Sequence, residues 1–368
     1  MKVLMLNYEY PPIGGGTGQA NKNIINELKK QDNIDVDLVT SSKSGYSEES
    51  FGNADIYRLN VGKDERHNWK KLELARYMWK GFRKARELDS ENDYDLIHAW
   101  SGIPCGVMTK FLDKPYIIGL RGSDVPGYDP EMSTEYFLLS PIIKNAWSNA
   151  EELIPNSKGL KMLAKKTMGA DMPVIPNGVD TEEFKPRDSE NKDLQVLTVA
   201  RLTERKRIQD LIKAIEGIEG TNLKIVGEGE KESKLRQKTR ELGLEDKIDF
   251  KGYVPHEKLP QVYGEADVFV LPSLNEGMSN AVLEAMSSGL PIITTKTGGT
   301  EELLNGNGEI IPKKSPEKIK KKIKEYKENP ELKETHGKKS RKLAEEMSWN
   351  EVAELYVKKY KEVIEANN

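Results

Sequence analysis

The chain has 368 residues, with 57 Lys and Arg set against 60 Asp and Glu and a formal net charge of −3. That balance excludes nucleic-acid binding driven by bulk charge, and a single cysteine, Cys105, excludes an intramolecular disulfide and fits a reducing compartment. No apolar run is long enough to span a membrane, and Asn7 to Pro12 cut the opening apolar segment too short for a secretory leader, so a cytoplasmic protein of two domains is expected.

Short apolar strands alternate with amphipathic helices, the pattern of an α/β protein. The first series of strands is expected near 2–7, 35–40, 95–99, 116–120 and 152–155. Between its first strand and a helix near 19–30 lies Pro11-Pro12-Ile13-Gly14-Gly15-Gly16. Such a loop lets backbone approach a phosphate closely. It is not a dinucleotide fingerprint, because Gln19 or Asn21 falls where the last Gly is needed. Two Asp-x-Asp strings, Asp35 with Asp37 and Asp93 with Asp95, begin strands, and alternation accounts for them without a metal. No Cys/His cluster points to zinc. No metal site is therefore expected.

Residues 63–86 hold nine basic and three acidic residues, interleaved with Trp69, Leu72, Tyr77, Met78, Trp79 and Phe82. Two readings stand: a basic aromatic helix resting on anionic lipid or a partner, or a helix with its aromatic face in the core and its lysines in water. Further along, His98 ends a strand, followed by Trp100. Arg121 and Asp124 follow the next strand. The string from Val174 to Asp180, with Pro176 and an Asn177-Gly178 pair, reads as a connector.

A second series is expected near 195–200, 223–227, 248–251, 267–271 and 291–295. Arg201 follows the first of these strands directly and Lys206 lies five residues on. A forked guanidinium and a point-charge ammonium suit a pyrophosphate. Gly227 and Gly229 follow the next strand, and Tyr253 and Val254 the one after. Residues 276–302 carry the densest pattern. Glu276 sits in a loop after an apolar strand, with Gly277 and Met278. Ser279 or Asn280 caps a helix that carries Glu284 and is stopped by Gly289 and Pro291. Loops at the carboxyl ends of such strands are where open α/β sheets bind ligands. Free N–H groups at the helix start and at the turn Gly298-Gly299 suit phosphates, and two carboxylates suit hydroxyls. Together they suggest a ligand bearing both, such as a nucleotide sugar. The end of the chain, from Trp349 to Ile364, reads as a long amphipathic helix.

Pro272, Ser273, Glu276, Gly277, Glu284, Ala285, Met286, Gly289, Pro291, Gly298, Gly299 and Glu302, in that order and spacing, resemble the Glu-x7-Glu signature of retaining glycosyltransferases of family 4. The resemblance extends over nearly the whole chain. It implies a GT-B fold of two Rossmann-like domains facing each other across a cleft. Residues 1–173, with a returning helix at 350–368, would form the acceptor-binding domain, and 174–349 the nucleotide-sugar-binding domain. It implies transfer of a hexose from a UDP- or GDP-linked donor to a glycan, glycolipid or lipid-linked acceptor, with no cofactor required. Arg201, Lys206 and Glu276 would be catalytic. Gly15, Gly16, Gly227, Val254, Gly277, Met278, Ser279, Asn280, Glu284, Gly298 and Gly299 would bind the donor, with Glu276 on the sugar and Glu284 on the ribose.

The sequence departs from the family pattern at four places. Ala200 and Arg207 stand where Gly is usual, and Trp100 and Arg121 stand where His is usual. The acceptor-side candidates are therefore His98, Trp100, Arg121 and Asp124: Trp100 as a stacking surface, Arg121 for an acidic group, Asp124 to orient a hydroxyl, and His98 either facing the site or simply ending its strand. Relatives that glycosylate lipids use the region of 63–86 at the membrane, which would place this protein at the inner face of the cell membrane. Two alternatives remain open: an epimerase-like enzyme acting on the sugar nucleotide alone, and an inactive nucleotide-binding subunit.

Overall fold

The computed structural model describes residues 1–66, 69–187 and 191–368. The chain divides into two compact units, Met1–Asn177 with Trp349–Asn368, and Gly178–Ser348.

The first unit runs β1 (Lys2–Leu6), α1 (Gly16–Leu28), β2 (Asp35–Ser42), β3 (Ser47–Phe51), β4 (Ala54–Asn60), α2 (Lys71–Glu91), β5 (Leu96–Ala99), α3 (Cys105–Thr109), β6 (Tyr116–Leu120), α4 (Ser133–Ser148), β7 (Glu152–Pro155) and α5 (Lys158–Met168). The second runs β8 (Leu194–Val199), α6 (Ile208–Ile215), β9 (Thr221–Val226), α7 (Glu232–Glu241), β10 (Ile248–Gly252), α8 (Leu259–Gly264), β11 (Val268–Leu271), α9 (Asn280–Ser287), β12 (Ile292–Thr295), α10 (Thr300–Leu303), β13 (Gly308–Ile311), α11 (Pro316–Glu328) and α12 (Pro330–Glu345). The last helix, α13 (Trp349–Asn367), returns to the first unit.

Each unit is built on a parallel sheet. The orders are β3-β4-β2-β1-β5-β6-β7 and β10-β9-β8-β11-β12-β13. Central strands such as β5, β6, β11 and β12 are buried at every residue, which is why they read as continuous apolar runs rather than alternating ones. Among the described residues only β3 runs antiparallel, as a hairpin edge on β4. Without that edge, both sheets have the doubly wound order 3-2-1-4-5-6 of the Rossmann fold. The order reverses between β1 and β5 in one sheet and between β8 and β11 in the other. Loops leaving the carboxyl ends of those strands flank a ligand crevice in folds of this kind.

Helices cover both faces. In the first unit one core layer joins α1 and α13 to the sheet, and Tyr356 and Tyr360 of α13 are fully buried there. The opposite layer takes residues of α2 to α5. Two further layers, around Ile212 with Ile323 and around Phe269 with Leu283, build the second unit.

Strands β3, β4 and β13 were not anticipated. β3 reads Ser-Glu-Glu-Ser-Phe and is largely exposed at an edge, so it has no apolar alternation to betray it. β13 is a four-residue edge. No helix among the described residues is long and apolar enough to cross a membrane.

Candidate active site

Five loops leave the carboxyl ends of β8 to β12, and backbone contacts stitch them together. Leu274 N–H donates to the Arg205 carbonyl at 2.8 Å, and the Arg205 guanidinium donates to the Asn275 carbonyl at 3.1 Å. Gly298 N–H donates to the Glu276 carbonyl at 2.9 Å. A Cβ at Gly299 would lie 2.4 Å from the Gly277 carbonyl oxygen, so only glycine lets the loops after β11 and β12 pack this closely. Gly227, at φ +125, is equally constrained: its Cβ would meet the Ala200 oxygen at 2.0 Å. Both glycines thus have a packing reason besides any ligand.

Across the reversal of strand order, Lys206 from the loop after β8 meets Glu276 from the loop after β11. Nζ and Oε1 are 2.6 Å apart, with the side chains only 13% and 12% exposed. Burial pushes the Glu276 pKa up, but the Lys206 and Arg205 charges and the Lys206 hydrogen bond outweigh it and hold the carboxylate below its usual range. Arg201 is exposed at the end of β8. Arg207, at φ 54, is instead taken up by Asp210 at 2.9 Å and Glu204 at 3.0 Å, so its role is local.

The helix start expected at 279–280 is that of α9. Ser279 occupies the cap position without a side-chain cap bond, so its hydroxyl does not satisfy the first-turn donors. Gly277, Met278 and Ser279 are buried and Asn280 is half-buried. The turn at Gly298-Gly299 opens α10, which is only four residues long. One turn sums few peptide dipoles, so its pull on an anion rests on local N–H groups rather than on a macrodipole.

Glu284, 8% exposed on α9, is held on both oxygens. The Tyr263 hydroxyl donates to Oε2 at 2.8 Å, and His256 Nε2 is 3.1 Å from Oε1. Burial, then the Glu284 charge, raise the Tyr263 pKa well above its ordinary value, so the phenol stays protonated as a donor. The sequence reading missed both residues. His256 follows β10 by four residues, and a histidine in a loop at a strand's carboxyl end was the available signal. Val254 is half-buried against the core that contains Phe269, while Tyr253 is 43% exposed.

In the first unit, Gly15 caps α1 and Gly16 opens it; the Gly15 N–H lies 3.4 Å from Glu9 Oε2. The acceptor-side candidates sit among close protein contacts. Trp100 is fully buried and stacks on His98 with ring centroids 4.9 Å apart, so its face is not open to a sugar. His98 is fully buried too, with Nδ1 2.7 Å from the Tyr360 hydroxyl of α13. Burial, then the Arg121 charge, push its pKa well down, leaving a neutral ring. Arg121 lies over Trp100 at 4.1 Å and donates to Tyr356 at 2.6 Å and Asn177 at 3.2 Å. Asp124 accepts the backbone N–H groups of Gly102 and Gly122 at 2.7 Å and of Arg121 at 3.0 Å. It fastens two loops. The two departures from the family histidines therefore stack on one another, Trp100 buried and Arg121 half-buried, and both meet Tyr356 of α13.

The Asp-x-Asp strings are local as well. Asp37 pairs with Lys2 at 3.3 Å, and Asp93 with Lys114 at 2.8 Å. Among the described residues no three His, Cys, Asp or Glu side chains gather as a cation site.

Residues 14–183 match the family model described as Glycosyltransferase Family 4, and residues 179–343 that described as Glycosyl transferases group 1. An uncharacterized glycosyltransferase of Methanocaldococcus jannaschii is 27% identical over 369 residues, 99% of each chain. The putative teichuronic acid biosynthesis glycosyltransferase TuaC of Bacillus subtilis is 31% identical over 235 residues, 60% of this chain and 57% of its own. Among solved structures, sucrose-phosphate synthase of Thermosynechococcus elongatus aligns over 100% of both chains with a TM-score of 0.86 at 20% identity. HepE of Anabaena, in complex with UDP-glucose, aligns over 98% of this chain and 100% of its own at 0.76 and 19%. With the Glycosyltransferase Family 4 model on its first half, the Glycosyl transferases group 1 model on its second and the doubly wound sheet order in both units, the chain is a glycosyltransferase of GT-B type.

Proposed function

We propose that the protein is a retaining hexosyltransferase that uses a UDP- or GDP-linked sugar and acts on a glycan, glycolipid or lipid-linked saccharide. The observation that carries this reading is the Lys206–Glu276 pair at the strand-order reversal, beside the start of α9. Glu276 holds the hydroxyls of the donor hexose and Glu284 those of the ribose. Arg201 and Lys206 meet the charge that develops on the leaving diphosphate. The bond from the anomeric carbon to the diphosphate oxygen breaks, the acceptor hydroxyl attacks from the same face, and its proton passes to the departing phosphate oxygen. No protein nucleophile and no cofactor is required on this route. UDP-bound relatives of the same fold, HepE among them, favour a uridine donor as the first to try.

On the acceptor side, α2 supports contact with an anionic lipid surface. Leu72 and Trp79 are 61% and 59% exposed, and the Arg83 guanidinium sits 5.0 Å over the Trp79 ring. Other apolar residues of the same stretch turn inward: Tyr77 is buried, and Trp69, Met78 and Phe82 pack against the core. The helix thus divides between the two readings of its sequence. Positions 67–68 of that stretch lie outside the described residues. On this reading the protein works in the cytoplasm, at the inner face of the membrane.

The test is turnover of a nucleotide-sugar panel, followed by mass spectrometry, with and without saccharide and lipid acceptors. Acceptor-dependent release of one nucleotide, lost in Glu276→Ala and Lys206→Ala, supports the transferase. Conversion of donor without acceptor would favour an epimerase-like enzyme, and nucleotide binding without any turnover an inactive subunit.

A further inference from the structure

We propose that His256 is a positioning residue that gives the site its preference for ribonucleotides, by holding Glu284 in the geometry that grips two adjacent hydroxyls. The proposal rests on the reading of Glu284 as the ribose ligand and adds to it the residue that fixes that carboxylate.

Glu284 lies on α9, nearly buried, with a neighbour on each oxygen: Tyr263 at 2.8 Å on Oε2 and His256 at 3.1 Å on Oε1. An ionised carboxylate offers about four lone-pair positions. Two are occupied here, which leaves one on each oxygen for a ligand, the pattern needed by a vicinal pair of hydroxyls. A glutamate left loose would have to surrender side-chain freedom on gripping a ligand. Held in advance, it surrenders less when the ligand arrives.

The two holders differ in kind. Tyr263 is fully buried and packs on Phe184 and Phe269, so its removal would open the core. The His256 side chain is 27% exposed and lies in a short turn closed by the bond from Lys258 N–H to the Pro255 carbonyl at 2.9 Å. Its ring meets buried Phe184 edge-on at 5.4 Å. To donate to an ionised Glu284, the imidazole must carry its proton on Nε2. His256 can therefore be changed without emptying a core position, and the loss of its bond to Glu284 is read apart from the fold by the pyrophosphate control.

Calorimetric titration of the full chain with UDP, 2′-deoxy-UDP, GDP, 2′-deoxy-GDP and inorganic pyrophosphate tests this, in the wild type, His256→Ala, His256→Gln and Glu284→Gln. A charge-assisted hydrogen bond to the 2′-hydroxyl predicts a ribo-over-deoxy preference of about tenfold or more in the wild type. That preference should collapse toward unity in His256→Ala and return in part in His256→Gln, whose amide can donate from a similar point. Pyrophosphate affinity should hold in both His256 variants, and with a working donor the His256→Ala defect should fall on KM rather than kcat. If Glu284→Gln loses the preference while His256→Ala keeps it, the ribose reading stands and the role of His256 is refuted. No preference in the wild type would refute the ribose reading itself, and the proposal with it. Loss of pyrophosphate affinity in both His256 variants would mark His256 as a structural residue and also overturn the proposal.

Discussion

Replacing Lys206 by alanine strands Glu276. At 2.6 Å and an effective dielectric near 20, the gross attraction between the two charges is about 6 kcal/mol. Both side chains are largely withdrawn from water, so desolvation cancels most of that attraction. Breaking a fully buried pair costs about 3–5 kcal/mol, because the remaining charge keeps its desolvation penalty without its partner. Some solvent reaches this pair, so about 2–3 kcal/mol is expected, or roughly 5–10 °C in thermal midpoint. The pH dependence gives a second reading. Glu276 has a folded pKa below its ordinary value, so its stabilising contribution is complete above the unfolded carboxylate pKa, about 4.3, and is lost as pH falls through the folded value. Lys206→Ala removes much of that depression, so the variant should differ most from wild type near neutral pH and converge with it in acid. Turnover should fall by about 10²–10³ if the ammonium meets the leaving diphosphate. A double-mutant cycle with Glu276→Ala, by calorimetry and donor turnover, should show the two changes coupled by at least about 1 kcal/mol. Additive stabilities would refute the pairing, and wild-type turnover in Lys206→Ala would refute its role at the diphosphate.

Gly299→Ala puts a methyl 2.4 Å from the Gly277 oxygen and should cost about 1–3 kcal/mol, with a raised donor KM; differential scanning fluorimetry and kinetics read both, and an unshifted melting curve would mean the loops are not locked there. Asp124→Ala frees three backbone N–H groups and should destabilise by at least about 2 kcal/mol, with Asp124→Asn milder; unchanged stability in urea titration would return Asp124 to the acceptor side. Leu72→Ala with Trp79→Ala should weaken cosedimentation with phosphatidylglycerol vesicles while leaving turnover of a water-soluble acceptor intact, and equal pelleting would remove α2 from the membrane reading.

The sequence by itself determined the strand-and-helix alternation, the central strands, and the loops that hold Arg201, Lys206 and residues 276–299. Those features are local: an apolar run, a cap and a glycine turn announce themselves within a few residues. Edge strands such as β3 escaped because half-exposed backbone pairing leaves no apolar period. Only the tertiary structure decided what each candidate touches. His256 reaches Glu284 across 28 positions of sequence, and Tyr360 reaches His98 across 262. Trp100 and Arg121 looked like recognition residues because their types suit ligands. In the fold the buried Trp100 ring and the half-buried Arg121 guanidinium pack against Tyr356 of the returning helix, a contact that the sequence does not announce.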